Sequence, residues 1–206
     1  MFLVRRSAAN VGLGRKVATA ALLFSTVTSS LQLGRPKVVS SDDLMAKKSH
    51  GTCEKPPGRQ LRWGCSHNLA DRICCFNRHY AEHSGYWEST SFLKNIERYM
   101  KDSGEVTFFD SVSQKPLFVV PNGRSVQDFL NESLAHGWPS FRDEEVVKSN
   151  VRILTDGEVV SVDGTHLGHN IPDGAGNRYC INLVSIAGTR DDSHASASAA
   201  TAPKGL

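Results

Sequence analysis

The sequence predicts a mainly β protein in which short strands pair antiparallel and a few short helices accompany them. Two observations carry this prediction. Five short runs rich in Val, Ile, Leu, Phe and Tyr are separated by Gly, Pro and Asn turns, which is typical of strands joined by tight turns. Apolar residues recur at helical spacing in only two segments of the chain.

Strands are expected, in chain order, at residues 106–109, 117–120, 151–154, 159–162 and 179–186. Helices are expected at residues 91–102 and 125–136. In the second helix the apolar residues that recur at spacings of three and four are Val126, Phe129, Leu130 and Leu134. This stripe is expected to pack against the core.

The first 41 residues have the composition of a targeting segment. They contain six basic and no acidic side chains, and small and apolar residues fill positions 17–27. This run of 11 residues is shorter than the ~20 that span a bilayer as a helix, so no permanent membrane anchor is expected. A secretory signal and an organelle transit peptide both fit this composition. We therefore expect delivery to the secretory pathway or to an organelle, the mitochondrion or the plastid, after removal of the segment.

After residue 41 the chain is expected to have three parts. Residues 42–72 are a linker or N-terminal arm, residues 73–188 form one folded domain, and residues 189–206 are a disordered tail. Without the first 41 residues, 18 basic side chains stand against 21 acidic ones, so no nucleic-acid-binding patch is expected. The chain also lacks phosphate-loop, dinucleotide-binding and serine-hydrolase motifs.

Reactive side chains are concentrated near the end of the expected domain. His166 and His169 lie three residues apart, and Cys180 and Asn182 follow the Gly-rich loop 172–177. Where this loop reverses the chain, Cys180 faces the histidine pair and Asn182 points the same way as Cys180. Singly, a strand cysteine is most often a buried apolar group, and a histidine is often a surface hydrogen-bonding group. Together, these side chains predict a thiol active site.

A thiol site requires further groups nearby. A free thiol is only about 3% thiolate at pH ~7, so a cation or hydrogen-bond donor has to favour the charged form. Arg178 or a protonated histidine could supply that effect. Trp138, between Gly137 and Pro139, would give a small apolar substrate group a flat wall of fixed orientation.

Two motifs contain these candidate residues. They are Gly-Trp-Pro-Ser-Phe at residues 137–141, and His-Leu-Gly-His at 166–169 followed by Arg-Tyr-Cys-Ile-Asn at 178–182. In both, the chain resembles the methionine-R-sulfoxide reductases of the MsrB (SelR) type. Lys-Pro-Leu-Phe at 115–118 and Asn-Val-Arg at 150–152 are also similar, so the resemblance covers about residues 104–188. It implies two small packed antiparallel sheets and makes residues 73–188 the catalytic domain.

The resemblance implies a peptide-methionine (R)-S-oxide reductase with a role for each site residue. Cys180 matches the nucleophile that attacks the sulfoxide sulfur, which releases methionine and leaves a sulfenic acid. His166, His169 and Asn182 match the groups that hold and protonate the sulfoxide oxygen. Trp138 matches the ring that receives the substrate methyl.

The implied partners are methionine-R-sulfoxide, free or in proteins, and a thioredoxin-like reductant. Arg178 would lie beside the thiolate. Two alternatives remain open. One is a non-catalytic module of the same fold that binds peptides through the Trp138 pocket, and the other is a general thiol–disulfide oxidoreductase that uses upstream cysteines.

The chain departs from the family at two places. Many members bind a structural zinc ion through two Cys-x-x-Cys pairs, and the corresponding positions here are Asp110, Ser113, Val160 and Asp163. Valine cannot ligate and serine is a poor ligand, so neither zinc nor any other cofactor is expected. The family's usual resolving cysteine lies two residues before the tryptophan, where this chain has His136. Another thiol therefore has to reduce the sulfenic acid.

The upstream cysteines leave three interpretations open. Cys74 or Cys75 could resolve the sulfenic acid through a disulfide with Cys180 that an external dithiol reopens, with one of the adjacent pair buried and the other available. Alternatively, the upstream thiols pair among themselves, as Cys53 with Cys65 would. A metal site is the third interpretation, because several histidines lie among these cysteines, namely His67, His79 and His83.

Overall fold

The computed structural model describes residues 39–190. Residues 1–38 of the predicted targeting segment and residues 191–206 of the predicted tail lie outside the described residues. Within residues 39–190, no helix combines the length and the apolar character that a membrane crossing requires.

Two antiparallel sheets form the framework of the described chain. The strands are β1 Val106–Phe109, β2 Pro116–Val120, β3 Ser140–Phe141, β4 Val151–Ile153, β5 Glu158–Ser161, β6 His166–Asn170 and β7 Tyr179–Ile181. A two-stranded sheet pairs β1 with β2, and a five-stranded sheet has the order β3-β7-β6-β5-β4. All neighbouring strands run antiparallel. The predicted mainly β class with two small antiparallel sheets is confirmed.

Short helices accompany these strands. The α-helices are α1 His67–Asp71, α2 Phe92–Ser103 and α3 Val126–His136, and a π-helical turn, Arg72–Phe76, follows α1 directly. Single 3-10 turns lie at Asp42–Met45, Arg62–Gly64, Tyr86–Ser89, Asp143–Glu145 and Leu183–Ser185. Helices α2 and α3 are the two that the apolar spacing predicts.

Helix α3 begins and ends at residues whose chemistry explains both boundaries. Ser125 Oγ accepts a hydrogen bond from the Asp128 amide at 3.1 Å, and the Asp128 carboxylate accepts one from the Ser125 amide at 3.3 Å. This reciprocal cap satisfies two backbone donors at the start of the helix. The helix ends before Gly137, whose φ of +82° is readily adopted only by glycine.

The buried face of α3 differs from the predicted stripe at one position. Leu134 is 48% exposed, so its expected place in the core was wrong. Ser133 is buried instead. Its hydroxyl donates to the Phe129 carbonyl at 2.7 Å and accepts from the Ser140 amide at 3.0 Å. The bond from the Ser140 amide ties this face of the helix to β3, so a hydroxyl rather than the leucine faces that strand.

Aromatic rings join the two sheets in one core. Phe118 of β2 stacks on Phe141 of β3 with ring centroids 4.2 Å apart, and Phe108 of β1 meets Phe141 edge-on at 5.1 Å. Such pairs contribute ~0.5–1.5 kcal/mol beyond the burial of their area. Cys53 and Trp63 are buried in the same core. The chain before residue 73 therefore packs against the sheets.

Strand β7 is shorter than predicted. The sequence indicates a strand over residues 179–186, but β7 ends at Ile181 and a 3-10 turn follows at once. The reason is a buried carboxylate: Glu82 accepts hydrogen bonds from the amides of Leu183 at 2.7 Å and Val184 at 3.1 Å. Amides that point at a carboxylate cannot pair with a neighbouring strand.

The cysteines are arranged differently from the predictions. Cys53 is bonded to Cys75 in a disulfide, so the interpretation that pairs Cys53 with Cys65 was wrong. Cys65 and Cys74 are free and buried. The expectation that one of the adjacent pair is available was also wrong, because Cys74 is 0% and Cys75 1% exposed. Both lie in a helical turn against the core rather than in an extended chain.

Candidate active site

The candidate site is built on the hairpin of β6 and β7. His169 and Cys180 are directly opposite each other in the antiparallel register, and Gly168 is opposite Ile181. A Cβ at Gly168 would lie 2.1 Å from the Cys180 carbonyl oxygen, so only glycine allows this approach of the two strands. The expected reversal of the chain between the histidines and Cys180 is therefore present.

A cavity of about 250 Å³ opens at this hairpin. Its walls are formed by His79, Tyr80, Ala81, Trp138, His166, Gly168, His169, Ile171, Cys180 and Asn182. Five of the six side chains that the sequence proposes for catalysis and substrate binding are in this set. The sixth, Arg178, does not line the cavity and is 7% exposed.

Cys180 is the free cysteine that the cavity exposes. The other two free cysteines, Cys65 and Cys74, are buried, and Cys180 is partly exposed. Burial raises the pKa of the Cys180 thiol, and the neighbouring Arg178 guanidinium favours the thiolate but does not outweigh burial. Thiolate is therefore the minor form near neutral pH, and the thiol becomes more reactive as the pH rises.

His166 is held in place by a buried carboxylate, Glu158. Its Nδ1 lies 2.7 Å from Glu158 Oε1, and Arg78 donates to Glu158 Oε2 at 2.6 and 2.9 Å. Burial acts to raise the pKa of Glu158, but the hydrogen bonds from His166 and Arg78 outweigh it and lower the pKa. Glu158 is therefore a carboxylate, which assigns Nδ1 of His166 as a donor and leaves Nε2 for the cavity.

His169 has a different environment from His166. The two rings lie with centroids 5.7 Å apart. Burial lowers the pKa of His169, and the nearby His166 acts in the same direction. His169 is therefore neutral near pH ~7. The two imidazoles differ in their environments, because of the two only His166 is hydrogen-bonded to a carboxylate among the residues that the structure describes.

The backbone of Glu82 positions the two remaining side chains of the site, those of Asn182 and Trp138. The Glu82 amide donates to Asn182 Oδ1 at 3.1 Å, and the Glu82 carbonyl accepts from Trp138 Nε1 at 3.2 Å. Asn182 Nδ2 donates to the Leu167 carbonyl at 3.0 Å. Both the amide and the indole are therefore fixed in orientation before any substrate arrives.

Sequence reasoning missed the groups that support the site. Arg78, Glu82 and Glu158 were not singled out, because an acid that will be buried has the same local sequence context as a surface acid. The wall formed by His79, Tyr80 and Ala81 had a weak signal, since this stretch is rich in aromatic residues and turn formers.

The four positions that correspond to the family's zinc ligands do not fit zinc. Asp110 accepts hydrogen bonds from the Val112 amide at 2.8 Å and from Thr165 Oγ1 at 2.9 Å. Lys115 Nζ donates to Asp163 Oδ1 at 2.9 Å, and this ammonium opposes a cation. Two engaged carboxylates, one hydroxyl and the apolar Val160 are not a tetrahedral zinc set.

The histidines considered for an upstream metal site make other contacts. His67 Nδ1 lies 3.2 Å from the Gly58 carbonyl oxygen, and His83 Nδ1 lies 3.0 Å from the Ser84 carbonyl oxygen. His79 lines the cavity. The structure does not gather these three with a cysteine among the residues it describes.

Fold and cavity together define the class of molecule: an antiparallel β domain with a thiol–imidazole site. The chain is 43% identical over 68 residues to the peptide methionine sulfoxide reductase MsrB of Methanosarcina mazei. The match covers 27% of this chain and 47% of the relative, so the chain spans about half the length of the curated relative it matches. No protein-family model matches the chain. The similarity supports the resemblance to the MsrB family that the two motifs indicate.

Replacement of Arg178 by Met is expected to slow alkylation of Cys180 at pH ~7, by about tenfold for each unit that the thiol pKa rises. The guanidinium is the cation that favours the thiolate. The measurement is the rate of iodoacetamide labelling against pH, read at Cys180 by peptide mass spectrometry. Arg152→Met, on β4 away from the cavity, is the matched control. An unchanged labelling profile in Arg178→Met would contradict the assignment.

Proposed function

We propose that the protein reduces methionine-R-sulfoxide to methionine with Cys180 as the nucleophile. The observation that carries the proposal is the composition of one cavity. A partly exposed thiol, two imidazoles, a fixed carboxamide and an indole line the same ~250 Å³ space, which suits a thioether-sized group with one polar oxygen.

In the proposed reaction, the Cys180 thiolate attacks the sulfoxide sulfur and the sulfoxide oxygen takes a proton. His166 is the better-placed donor, since its Nδ1 is held by Glu158. His169 is the second, and it can give a proton only in the protonated fraction that grows as the pH falls. The oxygen passes to Cys180, which becomes a sulfenic acid, and methionine is released. Two thiols of a reductant then form a disulfide, the oxygen leaves as water, and the Cys180 thiol is restored.

Stereochemistry follows from the two walls of the cavity. The Trp138 ring receives the methyl group with ~0.3–1.5 kcal/mol of sulfur–aromatic attraction. The imidazoles and Asn182 receive the oxygen. Two of the three substituents on sulfur are thereby fixed, so the R epimer is the proposed substrate, whether free or in a protein.

The proposed reductant is an external dithiol protein of the thioredoxin kind. Cys74 or Cys75 stays a proposed resolving thiol, but each has a structural obstacle. Cys74 is buried and donates to Ser185 Oγ at 3.5 Å, and Cys75 is bonded to Cys53. Either route requires the segment to open first, whereas direct reduction of the Cys180 sulfenic acid requires only access to the cavity.

The test is reduction of the separated R and S epimers of an N-acetylated methionine sulfoxide amide with dithiothreitol as the reductant. Turnover of the R epimer alone supports the proposal. Binding of the R epimer to a folded, reduced chain without turnover favours the peptide-binding module instead. The Cys53–Cys75 disulfide is the one observation that favours a thiol–disulfide oxidoreductase, which would reduce insulin disulfides and show no dependence on sulfoxide.

Replacement of Glu158 by Gln is expected to lower kcat by about 10–100-fold, the range found when the hydrogen-bond partner that orients a metal-bound histidine is removed. A Gln amide presents either N or O to Nδ1, so the ring is no longer fixed as a donor on that side. The expected change is in kcat rather than KM, measured with dithiothreitol and the R epimer. Glu145→Gln is the matched control, because Glu145 is equally buried and bonded to Arg124 outside the cavity. An equal loss of kcat in both variants would show that Glu158 only supports the fold, and would contradict its role in orienting His166.

A further inference from the structure

The Cys53–Cys75 disulfide lies beside an imidazole and a carboxylate, two side-chain types that can bind metals. Cys75 Sγ, a ring nitrogen of His50 and an Asp71 carboxylate oxygen all lie within 4.8 Å of one another, and Cys53 Sγ is bonded to Cys75 Sγ. Three donor atoms are thus gathered in one place, and the disulfide brings a fourth, Cys53 Sγ, next to one of them. None of the four residues lines the cavity that contains Cys180.

The backbone holds two of these residues on one tight turn. The His50 amide donates to the Cys53 carbonyl at 2.8 Å, and the Cys53 amide donates to the His50 carbonyl at 3.0 Å. Gly51 has a φ of +66°, and a Cβ there would lie 2.0 Å from the Cys75 carbonyl oxygen. The turn therefore packs closely against the segment that contains Cys75, and glycine at position 51 allows this contact.

The other two residues lie on one helical segment. Asp71 ends α1 and Cys75 lies four residues later in the π-helical turn, so the two side chains share a face. The order is His-x-x-Cys followed by Asp-x-x-x-Cys. A turn whose two ligands are separated by two residues, and a helix whose two ligands are separated by three, have spacings like those of small structural zinc sites.

We propose that reduction of the Cys53–Cys75 disulfide creates a zinc site, with the two thiolates, His50 and Asp71 as the four ligands. Thiolate, imidazole and carboxylate are all zinc donors, and four of them complete a tetrahedral site. In the oxidised form described here, His50 Nε2 and Asp71 Oδ1 contact each other at 2.6 Å. Zinc would replace that contact and bind both atoms.

The exchange balances with a dithiol as the reductant. The dithiol gives two electrons and becomes a disulfide, the Cys53–Cys75 bond breaks, and each sulfur binds zinc as a thiolate. The two protons of the dithiol are released, and zinc stays in its divalent state. Access is available from one side, because the side chains of His50 and Asp71 are 28% and 30% exposed, while both sulfur atoms are in buried residues.

The test uses Co²⁺ in place of zinc, because tetrahedral cobalt with thiolate ligands has strong visible bands and a thiolate charge-transfer band. The full chain is reduced with a phosphine, the phosphine is removed without air, and Co²⁺ is titrated. We expect a single tetrahedral cobalt ion per reduced chain, its displacement by Zn²⁺, and no such spectrum from the oxidised chain. His50→Gln and Asp71→Asn should each weaken binding by more than the 10–100-fold loss typical of outer-sphere partners.

These two variants keep the disulfide, so their folding can be checked in the oxidised form by circular dichroism. Cys180→Ser and His67→Asn are matched controls that remove a thiol or an imidazole outside the four, and both should bind cobalt normally. If a reduced, folded chain does not give the cobalt spectrum, the Cys53–Cys75 pair is a structural disulfide and the proposal is overturned. Unchanged binding in His50→Gln and Asp71→Asn, or its loss in Cys180→Ser, would overturn it equally.

Discussion

Replacement of Cys180 by Ser is expected to abolish reduction of methionine-R-sulfoxide, with a fall in kcat/KM of at least about 10³-fold. A serine hydroxyl is scarcely ionised near neutral pH and cannot take the sulfoxide oxygen as a sulfenic acid does. The measurement is methionine formed from the R epimer with dithiothreitol in excess. Since Cys180 lies partly exposed in the cavity, the substitution changes one atom without opening the core.

Cys65→Ser is the matched control for this result. Cys65 is also a free cysteine but is buried away from the cavity, and burial raises its pKa to about 12. Its variant should keep full turnover with dithiothreitol. Trapping with dimedone in the absence of reductant should label Cys180 alone, and only after addition of the R epimer. Residual turnover in Cys180→Ser, or its loss in Cys65→Ser, would contradict the assignment of the nucleophile.

The fold class and the central residues of the cavity could be predicted because their signals are local. Alternation and turn residues indicate strands, and Cys180 and His169 are adjacent in the structure because one short loop joins their strands. The helix boundaries at Ser125 and Gly137 follow from capping chemistry within four residues of each end. Such features require no knowledge of distant contacts.

The remaining features depend on contacts between distant parts of the chain. Glu82 ends β7 early through amides that follow it by about 100 residues, and no spacing rule reaches so far. The Cys53–Cys75 pairing is of the same kind, because four upstream cysteines allow several connectivities and the fold selects one. Long-range hydrogen bonds and disulfide pairings therefore could not be predicted from the sequence alone.

Replacement of Glu82 by Ala is expected to lower the free energy of unfolding by about 2–5 kcal/mol. The change leaves the Leu183 and Val184 amides buried without their acceptor, and each such donor costs ~1–3 kcal/mol. The measurement is urea unfolding at pH ~4.5, where Glu82 is protonated in the folded state and its contribution is largely intact. Glu88→Ala is the matched control, because Glu88 is an exposed glutamate in the same stretch of chain, and its effect should stay within ~0.5 kcal/mol.

The pH dependence of unfolding separates the charge of Glu82 from its hydrogen bonds. Burial raises the pKa of Glu82 to about 7, against the hydrogen bonds from Leu183 and Val184, while an unfolded glutamate has a pKa of ~4.3. Between these values the folded state binds the extra proton. Glu82 therefore stabilises the fold fully below pH ~4.3, and this contribution is lost at about 1.4 kcal/mol per pH unit as the pH rises through ~7.

Glu82→Gln keeps an acceptor for one amide and removes the titrating group. Its free energy of unfolding should therefore lack the decline that the wild-type chain shows between pH ~5 and ~7. Ionised Glu82 also contributes to raising the pKa of Cys180, so the same variant should move the alkylation midpoint of Cys180 to lower pH. A purely structural role for Glu82 would leave that midpoint unchanged. The two readouts together would assign the carboxylate both to the end of β7 and to the reactivity of the Cys180 thiol.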